Sequence, residues 1–407
     1  MQDHCSRMPH RPWSFAWNVR RLAGVGLLGL AATASAGGSE RRPELHSPDS
    51  VRSVAAGTDG LGRFVVAWVS RRTELAEGGG EQLRAARLEG TRWRPLGDVV
   101  NEKPQYNAAQ PNVHAGLGGS VWLDWEEGSG HAHIDSYLMS SWTGSAWTRP
   151  TPYALRRNLS DAGRSRSLAL DPQNRPLVGW TDIGTGTRSM YPSVVSLRLW
   201  RGQDWVTTPY LNLNLRQPAY MPSVAQVNGQ VSVAYVEGAT TRSNLWVRQW
   251  TGDGWRTLGG RVNVRPDTYV FRPLLRADGL GRLTVAWLED LNGADALYVS
   301  RWNGRAWQEL ASGPVSQAGK HAATASLAFD GHHRPVVAWT QAPDGQRTVH
   351  ASLWDRDRWK PLGRGALNTN PGADADHSSV AAGRYGILVA WRELRGGVWR
   401  LQTWLQP

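Results

Sequence analysis

A strand-like phrase ending in an aromatic residue recurs seven times along this chain. It reads Phe64-Val65-Val66-Ala67-Trp68, Val121-Trp122-Leu123-Asp124-Trp125, Pro176-Leu177-Val178-Gly179-Trp180 and Val231-Ser232-Val233-Ala234-Tyr235 in the first four units. It continues as Leu283-Thr284-Val285-Ala286-Trp287, Pro335-Val336-Val337-Ala338-Trp339 and Gly386-Ile387-Leu388-Val389-Ala390-Trp391. Aligned on the aromatic, the units stand 57, 55, 55, 52, 52 and 52 residues apart. A fixed period of that length is the mark of a propeller or a solenoid.

Each unit has the same internal order. A turn such as Asp59-Gly60-Leu61-Gly62, Asp278-Gly279-Leu280-Gly281 or Asp330-Gly331 precedes the phrase, with residues that tolerate positive φ or pre-set a hairpin. A second hairpin follows, with aromatics five apart, as in Trp250–Trp255, Trp302–Trp307 and Trp354–Trp359. No segment sustains a helical period. Four strands per unit, repeated seven times, predict an all-β, seven-bladed β-propeller. The chain carries 23 Trp against 4 Phe, and most of these rings fall at repeating positions, which assigns them to packing between blades. The last unit ends one strand short, after Trp404. The segment Arg41-Arg42-Pro43-Glu44-Leu45 resembles the closing strands at Arg92–Leu96 and Arg358–Leu362, and is expected to complete the last blade.

The combination of Trp-x-Gly-x-x-Trp-x-x-Leu-Gly, as in Trp250 to Gly259, with Arg-Pro-Val-Val-Ala-Trp, Arg334 to Trp339, resembles the Trp-rich propeller repeats of exported bacterial proteins. A weaker resemblance runs to seven-bladed bacterial propeller lectins, through the Trp-rich closing hairpin. Both resemblances imply the fold and leave the activity open. Sialidases are also propellers, but their Ser-x-Asp-x-Gly-x-x-Trp box is absent: Trp302-Asn303-Gly304 and Trp250-Thr251-Gly252 stand at the matching turns.

The N-terminus reads as an export signal. Arg11, Arg20 and Arg21 precede the apolar run Leu22–Ala32, which ends in Ala34-Ser35-Ala36. Residues 1–36 are therefore expected to be a signal peptide and 37–407 the propeller, exported to the periplasm or the exterior. The run is too short to span a bilayer, so no membrane span is expected. The one cysteine, Cys5, lies in that segment, which excludes a disulfide framework and a thiolate metal site.

Propellers bind ligands at one mouth of the central channel, where loops join the second strand to the third and one blade to the next. Two residues beyond the strand-two aromatic the units carry Ser70, Glu127, Asp182, Glu237, Glu289, Gln341 and Glu393. Such a ring can hold a cation, accept hydrogen bonds from a polyhydroxylated ligand, or satisfy backbone N–H groups of a neighbouring blade. The inter-blade loops bring Arg216, Tyr220, Arg265 and Arg272 to the same rim, a set suited to an anionic sugar, a phosphate or a carboxylate. Carboxylates and guanidinium groups are expected to alternate there. The insert Glu126–Asp135 adds His131 and His133, without a recognised metal spacing.

No phosphate loop, zinc-protease helix or nucleophile elbow is present. The net charge of +12 comes almost wholly from Arg spread through every unit, with no basic run, which argues against nucleic acid as the partner. The sequence thus predicts an exported, monomeric, non-enzymatic propeller, without metal or cofactor. Its partner is a polar or anionic small molecule, a glycan or a protein at the channel mouth. A carbohydrate-binding lectin is the alternative, and a glycan hydrolase a third reading.

Overall fold

The computed structural model describes residues 40–407, apart from 48, 72–79, 130–135, 150–154, 157–164, 183–191, 240, 267 and 343–344. The expected signal segment and the histidines of the 126–135 insert lie outside the described residues. The rest is an all-β, seven-bladed propeller. Antiparallel sheets follow one another in chain order, each built from consecutive strands. A single turn of 3-10 helix, Leu117–Gly119, is the helical element among the described residues. No helix there is long and apolar enough to cross a membrane.

The innermost strands are Ser50–Thr58, Asn107–Ala115, Arg166–Leu170, Ala219–Val227, Val270–Ala277, His321–Phe329 and Ala375–Gly383, in blades 1 to 7. The recurrent apolar phrase forms the second strand of each blade, buried on both faces because each blade is covered by two neighbours. The core is accordingly divided among seven clusters, each lying between adjacent blades. The Trp pairs of the closing hairpins meet at ring distances of 5.1–5.5 Å, and the second ring reaches back to the blade before it. Trp147 Nε1 donates to Leu96 O at 2.6 Å and Trp307 Nε1 to Leu258 O at 2.8 Å.

Four inner hairpins share a device that the turn residues alone do not announce. Asp59, Asp171, Asp278 and Asp330 each accept two backbone N–H groups of their own turn and pair with the Arg four residues on, Arg63, Arg175, Arg282 and Arg334. Ring closure is shorter than a full strand. Arg41 exchanges both backbone hydrogen bonds with Leu405, each at 2.8 Å. Pro43 has no N–H to continue the ladder, and its carbonyl instead accepts from Trp93 Nε1 and Thr403 Oγ1.

Every inner strand except the one of blade 3 breaks its ladder near its start. In five of them the bulge places a non-glycine residue in the left-handed region: Gln110, Met221, Arg272, Thr324 and His377, with φ between 43° and 56°. At one inner-strand position, just beyond the bulge where there is one, a serine stitches one blade to the next. Ser167 Oγ accepts from Val224 N, Ser223 from Leu275 N, Ser326 from Val380 N and Ser379 from Ala56 N.

Candidate functional site

The predicted ring of carboxylates lies on the face of the inter-blade loops, beneath those loops. Glu127, Glu237, Glu289 and Glu393 are buried. Glu289 accepts from Trp287 Nε1 at 2.8 Å, Val264 N at 3.1 Å and Arg265 N at 2.8 Å. Glu127 takes Trp125 Nε1, Glu102 N and Lys103 N in the same way. Glu237 takes Leu213 N and Asn214 N, while Tyr235, standing where the other units have Trp, donates to Leu211 O. Glu393 takes Trp391 Nε1, both donors of Thr369, Asn370 N and Arg395 Nε. In blade 6 Gln341 repeats the pattern with Trp339 and Gln317 N.

The expected alternation of carboxylate with guanidinium is corrected by this geometry. The ring binds mainly backbone amides of the loop entering its own blade, because two successive N–H groups match the two oxygens of a carboxylate. Arg265 contributes its N–H to the ring, and its guanidinium reaches Asn292 instead. Asp182 is the exception: it pairs with Arg198 at 2.8 Å and Ser196 at 3.0 Å, and stays partly exposed. An asparagine one residue ahead of the paired amides completes the latch. Asn101, Asn212, Asn263 and Asn368 each accept from the third strand of the preceding blade and donate to a carbonyl of their own loop. Burial pushes the Glu237 carboxyl up from its ordinary value, and the Leu213 and Asn214 amides offset only part of this. Burial acts on Glu393 too, but there the bonds from Thr369 and Trp391 and the charge of Arg395 win, and the carboxyl sits below its ordinary value.

The other predicted residues separate. Arg216 is exposed, and its N–H donates to Asn214 Oδ1. Tyr220 is half-buried beside Ser243, and burial raises its hydroxyl. Arg272 is exposed on a left-handed bulge and lines the central channel, a cavity of about 730 Å³. Neither the Arg216 nor the Arg272 guanidinium forms an ion pair among the described residues.

Two features escape a reading based on what repeats. The first is the channel wall. One inner-strand position is Gly57, Ala169, Ala225, Ala328 and Ala381 in five blades, but His114 in blade 2 and Arg276 in blade 5. Both line the channel. His333, in the turn after the inner strand of blade 6, lines it as well.

The second is a polar seam between blades 2 and 3. The residue before the strand-two aromatic is Ala in five units and Gly179 in blade 3, where an added Cβ would lie 2.7 Å from Val224 Cγ2. Blade 2 has Asp124 at this position, with no exposed surface. Asp124 Oδ1 meets His114 Nε2 at 2.6 Å, and Oδ2 accepts from Asn112 Nδ2 at 3.0 Å. Next along the same face, Glu126 pairs with Arg166 of blade 3, whose guanidinium lies 4.7 Å from the Tyr137 ring centre. Burial opposes ionisation of Asp124, yet the hydrogen bond and charge of His114 hold it below its ordinary value. Burial, with the Asp124 charge, drives the Tyr137 hydroxyl well up. Among the described residues, the apolar cluster of this seam has six buried members, fewer than any other inter-blade cluster. The sequence signal was the break itself: Asp124 in a column of Ala and Gly.

No group of three or more His, Cys, Asp or Glu side chains suited to a metal occurs among the described residues. No protein-family model matches the chain, and no curated protein sequence does. Solved structures do. An ulvan lyase, described as a new family of polysaccharide lyase, superposes with a TM-score of 0.57 at 10% identity, over 89% of this chain and 95% of its own. A Trypanosoma rangeli sialidase in complex with the inhibitor DANA gives 0.51 at 12% identity, over 90% of this chain and 59% of its own. The chain thus spans about three-fifths of the sialidase. At these identities the likeness establishes a shared propeller fold.

Proposed function

We propose that this chain is an exported, non-enzymatic propeller that binds a polar, negatively charged ligand through the loop-face mouth of its channel. One observation carries the reading. Arg272 and Arg276 line the channel without an ion pair among the described residues, while Asp278 and Asp330 on the same wall are each paired with an arginine. The free charge that a ligand meets is therefore cationic, and a desolvated guanidinium favours an anionic partner. The ring carboxylates hold loops, so they do not offer the opposed acid pair that glycoside hydrolysis requires. A lectin is the case in which the ligand is a sugar. Solved propeller neighbours carry sialic acid in the sialidase and -[GlcA(1-4)Rha3S]- in the lyase, which makes acidic sugars the first ligands to try.

Export rests on Arg20-Arg21, the run Leu22–Ala32 and Ala34-Ser35-Ala36. It is checked by fractionating cells and sequencing the N-terminus of the exported form, which should begin at Gly37. Binding is checked by calorimetry on matched acidic and neutral saccharides. Acidic members should bind, and a combined R272A/R276A variant should lose at least tenfold, about 1.4 kcal/mol. Preferential binding of neutral sugars, or an unaffected double variant, refutes the reading.

A further inference from the structure

We infer that the channel interior holds one carboxylate of the ligand between Arg276 and His114. The inference rests on the binding reading above and specifies the recognised group. The two residues occupy the same inner-strand position in blades 2 and 5, three blades apart in a ring of seven, so they face each other across the channel. The glycine and alanines at this position in the other blades leave room between them.

Arg276 is prepared for a planar anion. Its Nη1 donates to Leu275 O at 3.0 Å. Its Nε and Nη2 have no partner in the protein and are not sealed from the cavity. That Nε/Nη2 edge is the fork that grips a carboxylate through two parallel hydrogen bonds. Burial works against its charge, and the counter-charge acting on it is Asp124, from the far side of the channel.

His114 faces it with one nitrogen committed. Nε2 is held by Asp124 at 2.6 Å, and Asn112 fixes the other Asp124 oxygen. Nδ1 has no protein partner and is not sealed, so it opens on the channel. With Nε2 on Asp124, the charged ring that this carboxylate faces offers its Nδ1–H to a ligand carboxylate.

The probes are D-glucuronate, neutral D-glucose and inorganic sulfate, measured by calorimetry on residues 37–407. Glucuronate should bind, glucose should be silent and sulfate should be weaker, lacking the planar match. R276K keeps the charge but loses the fork, and should weaken glucuronate at least tenfold. H114A removes the facing donor and should weaken it at least tenfold as well. Near-UV dichroism confirms that each variant is folded. An unchanged affinity in R276K or in H114A overturns the inference. Glucuronate binding that survives both variants but is lost in R272A also overturns it, and leaves the mouth as the binding site. Silence of all three probes overturns it; the saccharide panel above then decides the wider reading.

Discussion

Replacing Glu289 with alanine should destabilise the propeller by about 3–5 kcal/mol. The carboxylate is 1% exposed and accepts three N–H groups. The donors do not suffer equally when it is removed. Val264 and Arg265 lie in a loop with partial access to water, so their amides recover part of what they lose. The Trp287 indole is fully buried and stacked on Tyr298, and its N–H would be left sealed without an acceptor. That one donor costs about 1–3 kcal/mol, and the two charge-assisted bonds supply the remainder. Glutamine is the informative control. Gln341 fills the same position in blade 6, with its amide donating to Lys320 O and His321 O. The equivalent carbonyls in blade 5, Thr268 O and Tyr269 O, already accept from Ser243 N and Asp290 N. E289Q should therefore fall between the parent and E289A. Urea unfolding measures the cost, and hydrogen exchange locates it: the Val264 and Arg265 amides should lose protection before the second strands do. An E289A variant with the parent's unfolding midpoint and protected loop amides would refute the latch.

Two further outcomes follow from the same geometry. Deleting residues 37–46 removes both Arg41–Leu405 bonds and the Pro43 carbonyl that serves Trp93 and Thr403; it should cost about 2–4 kcal/mol, and an unchanged unfolding midpoint would show that blade 7 closes without this segment. Acid should unfold the protein through Asp376, where burial is more than offset by hydrogen bonds from His377 and Arg392, so the native carboxyl lies below its unfolded value. Its contribution is present above about pH 4 and is lost as pH falls through the native value, whereas Glu237, raised by burial, has the opposite sign and weakens the fold as pH rises past the ordinary carboxyl range. The D376N variant should lack the Asp376 part of the acid transition, and an identical acid profile in that variant would exclude this assignment.

The blade count, the strand order and the face on which the acidic ring lies were all legible, because each is written seven times and the copies reinforce one another. Backbone N–H groups were among the partners the sequence suggested for the ring, but which amides they are was not legible. A carboxylate that binds a loop amide leaves no mark at the amide, since every residue has one; Asn101, Asn212, Asn263 and Asn368 were the visible trace, in loops of differing sequence. The inner-strand bulges were hidden for a related reason. Gln110, Met221, Arg272, Thr324 and His377 share a backbone state and no side-chain chemistry. The seam around Asp124 lay in plain view, yet an approach that rewards regularity discounts the one unit that departs from it.

Those five bulge positions separate architecture from address. A left-handed residue other than glycine costs about 1–2 kcal/mol, so five in one ring are held by the surrounding sheet rather than by local preference. The bulge also frees the residue from the strand ladder, so the sheet places no demand on which side chain stands there. Three of the five, Arg272, Thr324 and His377, border the channel. The rim is therefore a set of interchangeable letters on a fixed frame. A lineage can rewrite one blade's letter without disturbing its neighbours, and a new specificity can arise by spelling rather than by refolding.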